Sequence, residues 1–143
     1  MADSAVEDWW KSRMALAEAG KMAELAELPP PVPPPPHMPA ERLEETKVRL
    51  SKMSPDAFIG AWQGLVAWQG TKARAAAISM PTLIIYGDLD APALIQGATR
   101  LAEVIPNARV EVIPETAHSP QQERPELFNR ALRRHLEANA ARL

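Results

Sequence analysis

Cysteine is absent from the 143 residues, which excludes disulfides, thiolate-held metals and a cysteine nucleophile and leaves the redox compartment open. No uninterrupted apolar stretch reaches membrane-spanning length. The first eleven residues, acidic at Asp3, Glu7 and Asp8, lack the apolar centre of a secretory signal. A cytoplasmic protein without a membrane partner is therefore expected. Charge of one sign does not accumulate either: 16 basic and 18 acidic residues are scattered along the chain to a net charge of −2. With no basic face and no polybasic run, neither nucleic acid nor anionic lipid is expected as a partner.

Apolar residues are plentiful at 46%, enough for one compact core but, at this length, not for two ordinary domains. Ser4 and Glu7 have capping-box spacing, and Ala, Leu, Met, Glu and Lys dominate as far as Leu28. This predicts a helix, with a break near Gly20. Eight of the fifteen prolines then fall between Pro29 and Pro39, in PPPVPPPPHMP. Missing amide donors and fixed φ forbid helix and interior strand there, so the stretch reads as an extended connector. Its first eight residues would span roughly 25 Å at the polyproline rise. Such a segment serves either as a stiff spacer or as a ligand for a proline-binding domain, and the spacer is the commoner use.

Ala40–Met53 reads as a charged helix, and Ser54-Pro55-Asp56 starts another with an N-cap, a first-turn proline and an acid near the positive dipole end. Phe58, Ile59, Trp62, Leu65, Val66 and Gln69 lie on one face of that helix, a face that needs cover, and Gly70 suits its end. After Pro81 the pattern changes. Leu83–Tyr86 is a continuous apolar run, as in a strand buried on both faces of a parallel sheet. A helix over Leu94–Ile105, a strand over Arg109–Ile113 and a closing helix over Pro125–Ala141 follow, the last with Leu127, Phe128, Ala131, Leu132 and Leu136 on one side. Strand, helix, strand, helix implies a right-handed parallel crossover.

The stretch from Met80 to Leu136 resembles the end of an α/β-hydrolase. The similar elements are Pro81-Thr82-Leu83-Ile84, Gly87-Asp88-Leu89-Asp90, Ile105-Pro106-Asn107-Ala108, Ala117-His118 and Glu123-Arg124-Pro125-Glu126, in that order. RMALAEAGKMAELAE and SPDAFIGAWQGLVAW resemble cap helices of the 3-oxoadipate enol-lactonase and carboxylesterase group. The resemblance implies an α/β fold, that of a truncated α/β-hydrolase. Residues 1–77 would be a helical cap-like segment with the proline-rich connector at 29–39, and residues 78–143 a β-α-β-α unit with parallel strands.

The resemblance also assigns roles. In the family the acid and the base follow successive strands, and Asp90 and His118 match those positions. Asp88 is the rival acid, otherwise a turn former. Asp90 would orient the imidazole and His118 would act as general base. Trp9, Trp10 and Trp62 would either line an acyl or ring pocket or serve as core aromatics. His37 and His135 read as solvated. No metal site and no cofactor are expected.

The family's Gly-x-Ser-x-Gly nucleophile motif does not occur. Ser4, Ser12, Ser51, Ser54, Ser79 and Ser119 all lack the glycine flanks, and the oxyanion donors that go with the motif are missing as well. The expectation is an ester or lactone hydrolase that is inactive alone, its nucleophile lying upstream of Met1. It would take a small ester-like substrate once completed. The alternative is a non-catalytic oligomeric interaction module derived from a hydrolase. Either way, a remnant sheet with an unpaired edge predicts a homo-oligomer, formed through that edge or through exchanged helices.

Overall fold

The helix formers after Ser4 build α1 (Ser4–Glu18), which ends where the sequence places the break. Gly20 takes the left-handed φ of 71°. Its N–H bonds to Ala17 O at 2.9 Å and that of Lys21 bonds to Leu16 O at 2.8 Å, the paired bonds of a Schellman stop that only glycine enters without steric cost. The computed structural model describes residues 4–30, 32–68, 70 and 72–140, with backbone alone at 4–7 and 72–73. The Ser4/Glu7 capping box, Pro31, Gln69 and Ala141 therefore lie outside what is described.

Beyond Gly20 come α2 (Met22–Glu27), α3 (Ala40–Ser51) and α4 (Pro55–Ala67). Chain contacts group the molecule into two units, Met1–Pro31 with Met38–Gln69, and Val32–His37 with Gly70–Leu143. In the first unit Met14, Ala17, Met22, Leu25 and Phe58 form the core, flanked by Trp10, Leu16, Leu50, Ile59 and Trp62. The α4 face is covered only over its first half. Phe58 is buried, whereas Leu65 and Val66 are 56% and 67% exposed, because the contacts of α4 run to α1 and the core ends near Trp62.

The proline run is neither helix nor strand over its described residues. It makes contacts within each unit. Within the first unit the Pro29 carbonyl accepts hydrogen bonds from Trp9 Nε1 and Arg13. Within the second, Pro35 is buried and His37 Nε2 lies 3.3 Å from the Glu123 carbonyl oxygen. Proline has no amide N–H but keeps its carbonyl acceptor, and the Pro29 carbonyl and the His37 ring supply polar contacts of the run. His37 thus has a partner the sequence reading did not give it.

The second unit opens with α5 (Lys72–Ala75) and continues through β1 (Thr82–Gly87), α6 (Pro92–Val104), β2 (Ala108–Ile113), α7 (Pro120–Glu123) and α8 (Pro125–Asn139). Proline stands in the first turn of α4, α6, α7 and α8, where its missing N–H costs nothing and its φ is already helical. The strands pair in parallel from Thr82↔Ala108 to Gly87↔Ile113, so they end level.

Two expectations need correction here. β1 is half-buried from Thr82 to Tyr86 rather than fully buried, since its edge away from β2 has no strand neighbour among the described residues. His135 is half-buried rather than solvated, and its Nδ1 is enclosed without a hydrogen-bond partner among the described residues. The far end of the apolar side of α8, Leu132 and Leu136, is exposed. Among the described residues no helix is long and apolar enough to cross a membrane.

Candidate active site

The carboxyl ends of two parallel strands are where an open α/β sheet gathers its chemistry, and here they carry Asp88-Leu89-Asp90 and Glu115–His118. The approach of the two loops depends on Gly87, the last residue of β1. A Cβ at this position would sit 2.2 Å from the Thr116 carbonyl oxygen and 2.3 Å from that of Ala117, so only glycine lets the second loop fold down onto the strand end. The loop is turned back by Glu115, a non-glycine residue at φ 56°, whose carboxylate pairs with Arg124.

Fixed points follow on both sides. The Leu89 N–H donates to Thr116 O at 2.8 Å, and that of Asp88 donates to Ile113 O. The Thr116 N–H donates to Asp88 Oδ1 at 3.3 Å and its hydroxyl to Ile113 O at 2.7 Å. Asp88 therefore ties the two loops together, and its side chain is spent on backbone.

Asp90 meets the histidine. His118 Nδ1 lies 3.1 and 3.2 Å from the two carboxylate oxygens of Asp90. An ionised carboxylate only accepts, so this contact calls for a ring proton on Nδ1; in a neutral ring Nε2 then keeps its lone pair. The Asp90 side chain is 8% exposed and that of His118 65%; the acid is enclosed while the ring faces outward. Asp90 Oδ1 also accepts the Ala91 N–H at 2.7 Å. That places the carboxylate just ahead of α6, at the positive end of its dipole.

Glu123 is the residue the sequence reading named without giving it a role. It accepts the N–H of Ala117 at 2.5 Å through Oε2 and that of Ser119 at 2.9 Å through Oε1. The signal was its place four residues after the serine that precedes α7, one step beyond the glutamate of a capping box.

Trp9, Trp10 and Trp62 belong to the first unit and pack on one another. Trp62 lies 5.7 Å from Trp9 in an edge-on contact and 5.6 Å from Trp10. Arg13, which the sequence did not flag, stacks 4.5 Å above Trp9. It donates to the carbonyls of Leu25, Leu28 and Pro29 at the end of α2, and burial lowers its pKa. Among the described residues no serine hydroxyl bonds to His118, and no three His, Asp or Glu side chains gather as a metal site would need. A shallow groove of about 410 Å³ bordered by Pro81, Arg109 and His135 lies at the opposite ends of the strands.

Solved structures share this fold. MenH from S. aureus superposes at a TM-score of 0.76 with 20% identity, over 96% of this chain and 55% of its own. The chain has the α/β-hydrolase fold. A thermophilic esterase from Thermogutta terrifontis matches this hydrolase fold at a TM-score of 0.73 and 24% identity, over 92% of this chain and 50% of its own. Est816, described as an N-acyl homoserine lactone degrading enzyme, matches at 0.62 and 29% identity over 82% and 50%. The chain thus spans about half the length of these hydrolase-fold structures. No family model matches the sequence, and no curated protein does.

Proposed function

We propose that this chain supplies the acid and base of an α/β-hydrolase acting on carboxylic esters or lactones, and that it works only when joined by a polypeptide carrying the nucleophile. The observation that supports this reading is the Asp90–His118 contact of 3.1 Å at two level strand ends. Asp90 holds the Nδ1–H tautomer and would stabilise the imidazolium. Nε2 would take the proton of a serine hydroxyl as its oxygen attacks the carbonyl carbon, then return it to the departing alkoxide. Water would release the acyl group by the same proton route. The substrate class draws on two of the similar proteins, an esterase and a lactone-degrading enzyme.

The test is co-expression with an N-terminal hydrolase half that contains a glycine-flanked serine, assayed on a short nitrophenyl ester. Turnover well above that of either half alone, and lost with His118→Ala, is the expected result. Rates no higher than the sum of the separate halves would overturn the reading. The strand edges left unpaired among the described residues favour a second role, self-association as a non-catalytic module. Stoichiometric labelling of the pure chain by a fluorophosphonate would exclude that role.

A further inference from the structure

We propose that Glu123 is a positioning residue for His118, aiming the imidazole at Asp90 by gripping the backbone on both sides of it. This inference rests on the acid–base reading of the pair.

The His118 ring is 65% exposed, so packing does little to fix its direction. The backbone must do so, yet residues 116–119 belong to no strand or helix. Ala117 is buried, and a buried N–H without a ladder needs some other acceptor. Glu123 provides one oxygen to Ala117, at 2.5 Å, and the other to Ser119, at 2.9 Å. These are charge-assisted bonds to the two amides that flank the histidine. Thr116 is already held by Asp88 and Leu89. The loop is thereby pinned at 116, 117 and 119, and His118 is the one residue of the four left to project.

Glutamate suits the task in both length and charge. Glutamine has a single acceptor oxygen and would turn an NH2 donor toward one of the two amides. Aspartate keeps both oxygens on a shorter stem. The α7 turn that carries Glu123 is itself held, since the Glu123 carbonyl oxygen lies 3.3 Å from His37 Nε2.

The experiment is NMR on the uniformly 15N-labelled full chain, with ring shifts read at alkaline pH and amide exchange at mildly acidic pH, comparing the parent with Glu123→Ala, Glu123→Asp and Asp90→Asn. Ring 15N shifts report the tautomer of His118, and amide exchange reports the Ala117 and Ser119 bonds. In Glu123→Ala, exchange at Ala117 and Ser119 should rise roughly tenfold or more. His118 should shift from Nδ1–H toward the Nε2–H form of free imidazole, while the β1 and β2 amides stay protected. Glu123→Asp should recover part of both effects. An unchanged His118 tautomer in Glu123→Ala, beside accelerated exchange, would show Glu123 to be merely structural and overturn the proposal.

If alanine also melts the strand ladder, Glu123→Gln is judged by the same two readouts. Asp90→Asn separates the two ideas. A tautomer insensitive to Asp90 defeats the acid–base reading, whereas a tautomer sensitive to Asp90 but not to Glu123 defeats this inference alone.

Discussion

At the scale of single residues, the site depends on an absence of atoms as much as on its functional groups. The space that a Cβ at Gly87 would need is filled by the Thr116 and Ala117 carbonyls, and backbone cannot step aside as a flexible side chain does. Gly87→Ala should cost about 3 kcal/mol in a denaturant melt and should separate His118 from Asp90, seen as loss of the Nδ1–H tautomer. The two carboxylates should differ sharply. In the complemented enzyme Asp90→Asn should lower kcat by roughly 10⁴, the scale set when an amide favours the wrong tautomer. Asp88→Asn keeps an acceptor for the Thr116 N–H and should stay within a few-fold of the parent. Equal losses in the two variants would contradict the division of labour drawn from their bonds.

At the scale of elements, α2 shows how a short helix is held by a residue from another. Arg13 on α1 donates to the carbonyls of Leu25, Leu28 and Pro29, of which Leu25 O also takes the Leu28 N–H while the two beyond the helix end have no N–H of α2 to accept. Arg13→Ala should destabilise the first unit by roughly 3 kcal/mol. Arg13→Lys should recover only part of that, because an ammonium lacks the planar fork that reaches several acceptors at once. Both are read from thermal melts followed by tryptophan fluorescence.

This contact also marks the limit of what the sequence shows. The break at Gly20, β1, α6, β2 and α8 were legible because each carries a hydrophobic period or a stop signal. Asp90 and His118 were legible because their motifs stand in order. Arg13 was not, since one arginine within a helix looks the same whether it faces water or folds beneath its own turn. The four-residue helices α5 and α7 are too short to display a period. Glu123 was visible as a letter but not as a clamp, because its partners are backbone amides.

At the scale of the whole molecule, two strands form the only sheet among the described residues, and β2 exposes Val110 and Val112 at 41% and 43%. A sheet this small is marginal alone and its free edges invite pairing. The solution mass, by light scattering, is expected to be at least twice the 15.7 kDa of one chain; a mass of one chain across the accessible concentration range would count against self-association. Should a second copy and the nucleophile-bearing partner claim the same edge, adding that partner will dissociate the oligomer as turnover appears.

The level strand ends have a further consequence, for insertions and deletions. Asp90 follows Gly87 and His118 follows Ile113, and these two strand residues are register partners. Sliding β2 by one position would move the histidine about 3.3 Å along the sheet and turn every β2 side chain to the opposite face. No hydrogen bond spans that gap. Between the two catalytic candidates a change of length is tolerated only where the turn at Pro106-Asn107 absorbs it before β2 begins.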